Sequence, residues 1–157
     1  MRYILLTLII FFGGCSVKNY ENTAIKIVTI KSPKIKFNDI GYVRNTNSAI
    51  ELELFIAAKA IDKITINHLI CTTKDGCMGK SSFNSKYLHS SYPSDLLQDM
   101  LLAKAIYGGA NVVKTANGFT QHISDEHVDI TYEVRGRSSF FRDRKNSIIF
   151  NIKEENE

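Results

Sequence analysis

Hydrophobic and polar residues alternate with a period of two along most of the chain, which predicts β-strands with one buried face. The clearest stretch is 128–134, where valine, isoleucine and tyrosine alternate with aspartate, threonine and glutamate. Other stretches with strand character are 25–30, 35–37, 50–54, 64–70, 112–113, 119, 138–141 and 147–152. The pattern therefore predicts about eight or nine antiparallel strands in a single β-rich domain.

One segment has the periodicity of a helix instead. Ser94 is a suitable N-cap and Gly108-Gly109 a suitable stop, and the residues between them carry a wide apolar face. The preceding residues 72–93 are rich in serine and read as an exposed loop. The predicted fold class is α+β: a curled antiparallel sheet, either half-barrel or sandwich-like, with one inserted amphipathic helix over 94–107.

The first fifteen residues have the pattern of an export signal. Arg2 places a positive charge ahead of the run Ile4 to Phe12, which is apolar apart from one threonine. That run is too short to cross a bilayer, which takes about 20 residues, but it fits the hydrophobic region of a secretory signal. An uncleaved anchor or a buried N-terminal strand is the alternative interpretation.

The end of this segment, Phe12-Gly13-Gly14-Cys15, resembles the signal of bacterial lipoproteins, in which an apolar residue and two small residues precede a cysteine. The resemblance implies that Cys15 is diacylglycerated, that the chain is cut before it, and that acyl chains such as palmitate anchor it to a membrane. Ser16 resembles the residue that directs such proteins to the outer membrane. The implied organisation is 1–14 signal peptide, 15–23 lipidated tether, 24–153 single β-rich domain and 154–157 acidic tail.

The chain has three cysteines, and Cys71 and Cys77 remain once Cys15 is assigned to the lipid. An even number of cysteines in an oxidising compartment predicts one disulfide. Asp75-Gly76 is a tight-turn dipeptide that can fold the two cysteines back on each other. We therefore predict a structural bridge between Cys71 and Cys77.

The sequence predicts no enzyme, no cofactor and no metal. It contains neither a nucleophile elbow nor a phosphate-binding loop. A zinc site that joins His68 and His89 to the two thiols would lack the usual ligand spacing. His122 and His127 read as surface residues, because their spacing places them on opposite faces of a strand. The 20 basic and 16 acidic residues are too evenly balanced for a dedicated nucleic-acid binder.

Basic residues concentrate near the carboxyl end, with Phe140 and Phe141 between them. Beside a membrane they would attract anionic head groups at about 1 kcal/mol for each residue. Outward positions on a hairpin, where charge protects an edge strand from aggregation, are the interpretation we favour. The residues are Arg135, Arg137, Arg142, Arg144 and Lys145.

Three stretches of the mature chain resemble the LolB-type outer-membrane lipoprotein receptors. They are 37–41 running into 50–55, the helical stretch 95–102, and 118–121 leading to 128–132 and 148–152. That family has a curled antiparallel sheet closed on its concave side by a helix, around an apolar cavity for acyl chains. The resemblance implies a membrane-anchored lipoprotein that binds an apolar or acyl-bearing cargo, such as another lipoprotein. The candidate cavity-lining residues are Leu52, Leu54, Ile64, Ile66, Leu97, Met100, Leu101, Ile130 and Tyr132.

Two other functions are compatible with the same sequence. A surface-exposed adhesin or scaffold lipoprotein would have an immunoglobulin-like sandwich and no ligand cavity. A periplasmic stress or assembly partner would act through protein contacts. An apolar cavity of several hundred Å³ beneath the helix would favour the carrier over the adhesin.

Overall fold

The computed structural model of the chain describes residues 20–46 and 48–154. Within these residues the alternating pattern forms eleven strands, β1 to β11 in chain order, each antiparallel to its neighbours. Their bounds are Asn22–Lys31, Lys36–Asn45, Ile50–Ile56, Lys59–Ile66, Ile70–Thr72, Gly76–Met78, Val112–Thr115, Gly118–Ser124, Asp129–Arg135, Ser138–Asp143 and Ile148–Glu154. Helix α1 (Lys80–Tyr87), helix α2 (Leu96–Leu101) and the 3-10 turn Tyr107–Gly109 lie between β6 and β7.

The strands form one open, curled sheet in which β1 pairs with β11 at the centre and β6 and β7 are the two edges. Val28 of β1 lies opposite Asp39 of β2 on one side and Ile152 of β11 on the other. Because paired residues share a face, the buried positions of each strand line the concave side. The predicted α+β class with a curled antiparallel sheet is confirmed, and the sheet is open. One continuous sheet carries every described strand.

The described sheet has more strands than the eight or nine predicted. The predicted strand 64–70 divides into the end of β4 and the start of β5, because Asn67 turns the chain: its N–H donates to the Leu69 carbonyl at 2.9 Å, and its Oδ1 accepts from the Leu69 N–H at 2.8 Å. The short strand β6 lies in a stretch predicted as loop. Three-residue strands carry too few positions for a period of two to be recognised.

The predicted helix over 94–107 is also too long, since α2 ends at Leu101. Ala103 has a φ of 51°, which lies outside the right-handed helical region. Beyond it the chain bends so that Ile106, fully buried, enters the core from a loop. The wide apolar face therefore packs onto the curved sheet as two pieces, which one straight helix cannot do.

The predicted loop over 72–93 contains helix α1 as well as β6. The helix is mostly polar and buries only Phe83 and Asn84. The Asn84 amide donates to the Pro93 carbonyl at 2.8 Å and so fixes the loop that follows the helix. With two inward residues in eight, the helix has no apolar stripe by which a sequence pattern would reveal it.

Cys71 and Cys77 lie directly opposite each other on β5 and β6, with their Sγ atoms 2.01 Å apart. Gly76, the first residue of β6, has a φ of 70° where the turn between β5 and β6 ends. This geometry confirms the predicted pair. The disulfide joins β5 to β6, the edge strand on that side of the sheet.

Replacing both Cys71 and Cys77 with serine is expected to lower the free energy of unfolding by about 2 kcal/mol, the loop-closure entropy of so short a loop. Urea unfolding followed by circular dichroism measures the loss. The wild-type chain in excess reductant is the matched control and should unfold at the same midpoint as the double variant. A midpoint equal to that of the oxidised wild type would contradict the prediction.

Candidate functional site

Residues 79–111 cross the concave face of the sheet from edge to edge, and we call this segment the lid. Leu96, Leu97, Met100 and Leu101 of α2 point into the core, each at most 9% exposed. They pack on the inner faces of the strands, together with a cluster of rings in which Phe141 contacts Tyr92, Tyr132 and Phe150. The middle of the lid is therefore held by apolar contacts.

At one end of the strands, which we call the closed end, polar groups hold the lid. The Tyr92 hydroxyl donates to Asp143 Oδ2 at 2.7 Å, and the Asn146 amide donates to the same oxygen at 2.7 Å. Ser32, in the turn after β1, donates to the Tyr87 carbonyl at 2.9 Å. The lid is thus attached to both halves of the sheet at this end.

The pKa values of Tyr92 and Asp143 are shifted in opposite directions. Burial, followed by the hydrogen bond to Asp143, raises the pKa of Tyr92 above its usual range, so the phenol stays protonated and donates. Burial also disfavours the charged form of Asp143, but the hydrogen bonds from Tyr92, Asn146 and backbone N–H groups outweigh it and lower the pKa of the carboxyl. Asp143 is therefore a charged acceptor enclosed by donors.

Gln121 fixes the second half of the lid from the inner face of β8. Its Oε1 accepts from the Ile106 N–H at 2.9 Å. Its Nε2 donates to the carbonyls of Ile106 at 3.0 Å and Ala110 at 2.6 Å. The side chain is fully buried, so it supplies the partners that the Ile106 backbone would otherwise find in a helix.

A cleft of about 520 Å³ lies at the opposite end, where β1 begins, between the lid and the inner face of the central strands. We call this the open end. The lid residues 100–103 form one wall, and Val43 and Ile152 extend the apolar surface onto the sheet. A second cavity of about 280 Å³ adjoins it and shares Asn45 and Leu102 with it. The remaining residues of the larger cleft are Asn22, Thr23, Ala24, Lys26, Asn45, Gly136, Arg137, Ser139 and Glu154.

Three charged residues lie together in this cleft. The Lys26 ammonium donates to the Arg137 carbonyl at 3.0 Å and to Glu154 Oε1 at 3.2 Å, although Lys26 is only 8% exposed. The Arg137 guanidinium donates to the same Oε1 at 3.2 Å. Desolvation raises the pKa of Glu154, but these two donors outweigh it and lower the pKa of the carboxyl. Glu154 is the last residue of β11, although the sequence placed it in the acidic tail. The other residues of that tail lie outside the described residues.

All nine candidate cavity-lining residues are buried in the structure. Met100 and Leu101 line the larger cleft, and Ile66 lines the smaller cavity. The other six belong to the hydrophobic core: Leu52, Leu54, Ile64, Leu97, Ile130 and Tyr132.

The sequence pattern did not predict cleft positions for Lys26, Arg137 and Glu154. Lys26 carried a signal, because it occupies an inward position of the alternating run that continues with Val28 and Ile30. A charged residue at such a position is rarely buried without a partner. Nothing local connects Lys26 with Arg137 and Glu154, which are more than a hundred residues away along the chain.

The other predicted sites that the structure describes lie apart from the cleft. Cys15 lies outside the described residues. His68, His122 and His127 are exposed, and His89 is half-buried next to Tyr92. Across residues 20–46 and 48–154, no three histidine, cysteine or acidic side chains come together in a way that would hold a metal ion.

In the part of the chain that the structure describes, no helix has the length and apolar character needed to span a membrane. Comparison with models of protein families, with curated proteins and with solved structures finds no match. The geometry of the cleft and lid is therefore the basis for inferring a function.

Proposed function

We propose that this protein is a membrane-anchored lipoprotein of the outer membrane that binds an apolar or acyl-bearing cargo without catalysis. The observation that carries the proposal is the cleft of about 520 Å³ between the lid and the sheet. Its volume lies within the range of about 300 to 1,000 Å³ that is usual for ligand sites. An open curled sheet covered by a lid is also the architecture that the LolB-type resemblance implies.

The attachments of the lid favour opening at the cleft. At the closed end and along β8, buried hydrogen bonds hold the lid to the sheet. Beside the cleft, α2 contacts the sheet through apolar side chains and through the Ser139 hydroxyl, which donates to the Met100 carbonyl at 3.5 Å, a long and weak bond. An acyl chain can replace the apolar contacts of Leu101 and Leu102 with equivalent ones, so little free energy opposes its entry.

The position of Tyr20 supports attachment of this end to a membrane. Tyr20 lies just before β1, and Asn22 lines the cleft. Cys15 precedes Tyr20 by five residues, which can span at most about 18 Å when fully extended. A lipid on Cys15 would therefore keep the mouth of the cleft near the membrane surface, from which acyl chains enter or leave.

Replacing Leu102 with aspartate is expected to weaken binding of a fluorescent fatty acyl probe to the full-length chain by about tenfold or more. Leu102 is half-buried and lines both cavities, so a carboxylate there would be desolvated by an acyl chain. Val113→Asp is the matched control: Val113 is 61% exposed on the edge strand β7, and the variant should bind like the wild type. Absence of probe binding by the wild type would contradict the proposal and favour a role through protein contacts.

A further inference from the structure

We propose that the cleft selects cargo that carries an anionic group beside its acyl chain, with Lys26 and Arg137 as the recognition residues. The Glu154 carboxylate, which accepts from both cations, lies at the place that this group would take. The inference rests on the proposed function, because it assigns the head-group chemistry of the same cleft. The observations behind it are the contacts among Lys26, Arg137 and Glu154.

Lys26 is the strongest reason to expect an anion. Its ammonium lies on the inner face of the sheet, where removal from water is costly unless the charge is compensated. Two of its three N–H donors bind the Arg137 carbonyl and Glu154. Among the described residues the third has no acceptor, so it can bind a further one in the cleft. A buried cation with a spare donor next to an apolar wall suits an amphiphile with an anionic head.

Arg137 supplies the second cation at the mouth of the same cleft. Its side chain is 78% exposed, so its guanidinium can reorient toward a ligand at little cost. One oxygen of Glu154 accepts from both Lys26 and Arg137. Among the described residues, the charged groups that line the cleft are two cations and one carboxylate, which leaves one positive charge for a ligand.

Glu154 shows how an anionic head would bind. A fatty-acid carboxylate or a lipid phosphate presents the same acceptor oxygens to Lys26 and Arg137 as the Glu154 carboxylate does. The apolar wall of Leu101, Leu102 and Ile152 begins beside these groups, so a chain attached to the head can extend under the lid. Glu154 then competes with the ligand and lowers its apparent affinity.

Displacement of a fluorescent acyl probe from the full-length chain by three additives of equal chain length tests the inference. They are hexadecanoic acid, hexadecyl phosphate and hexadecanol. At least one of the two anionic additives should bind about tenfold more tightly than the alcohol, and the better of the two identifies the head group as carboxylate or phosphate. Equal affinity for all three would overturn the inference and leave the proposed function intact. Failure of all three to bind would overturn the proposed function itself.

Two variants with opposite expected effects sharpen the test. Glu154→Gln should increase the ratio of the affinity for the preferred anionic additive to that for hexadecanol by about threefold or more, because it removes the competing charge. Arg137→Gln should reduce only the anionic affinity. Arg135→Gln is the matched control, since Arg135 is equally exposed at the same hairpin and does not line the cleft. Equal losses in the two arginine variants would reveal a general charge effect and overturn the inference.

Discussion

Replacing Asp143 with alanine is expected to lower the free energy of unfolding by about 3 to 5 kcal/mol. The carboxylate is 1% exposed and accepts hydrogen bonds from the Tyr92 hydroxyl, the Asn146 amide and the backbone N–H of Asp129 and Lys145. Alanine leaves these donors without their acceptor, and each buried unpaired donor costs about 1 to 3 kcal/mol. Chemical denaturation at pH 7 measures the change.

Asp95→Ala, in the lid, is the control for removing an exposed carboxylate. Asp95 is exposed and pairs with Lys80 at the surface, so its loss should change stability by less than about 1 kcal/mol. Tyr92→Phe should fall between the two, because it removes one donor and leaves Asp143 its other partners. A loss for Asp143→Ala no greater than that for Asp95→Ala would show that the closed end does not hold the lid.

The same carboxylate predicts how stability depends on pH. The folded pKa of Asp143 lies below its usual value, so its contribution is fully present above the unfolded pKa of about 3.9. The contribution is lost as the pH falls through the lower folded value. The stability difference between the wild type and Asp143→Asn should therefore be constant near neutral pH and shrink below about pH 4.

Alternation along the chain was sufficient to predict the curled sheet, because every inward position of a strand such as β9 is apolar and every outward one polar. The last hairpin and the disulfide were predictable for similar local reasons. The lid was not, because its shape depends on contacts across the fold. Ile106 leaves the helical path when its backbone binds Gln121, and α1 buries only two residues, so neither feature has a periodic signature.

The candidate site could also be predicted only where a local pattern marks it. The pattern of apolar residues identified side chains that are buried, and all nine candidates are. Burial alone does not distinguish a packed core from the wall of a cleft, because both require an apolar inward face. Of the nine, Met100, Leu101 and Ile66 line the two cavities beside the lid. The charges that give the cleft its chemistry meet through strand pairings of β1 with β11 and of β10 with β11.

Replacing Gln121 with leucine is expected to destabilise the fold by about 3 kcal/mol while raising the apparent affinity for an acyl probe. The side chain satisfies the buried N–H and C=O of Ile106 and the partly buried C=O of Ala110, and leucine satisfies none of them. Ile106 and Ala110 do not line the cleft, so the variant loosens the lid without changing the binding surface. Denaturation measures the first effect, and probe titration with hydrogen exchange of the lid amides measures the second.

A loss of stability combined with a gain in apparent affinity distinguishes a lid that opens from a segment that only stabilises the fold. If cargo binds only when the lid is displaced, the apparent affinity is reduced by the small fraction of open molecules, and a weaker attachment raises that fraction. His122→Leu, at the neighbouring exposed position of β8, should change neither stability nor affinity appreciably. If Gln121→Leu instead weakens probe binding, the second half of the lid must support the cleft in its closed form, and opening would have to be confined to residues 96–103.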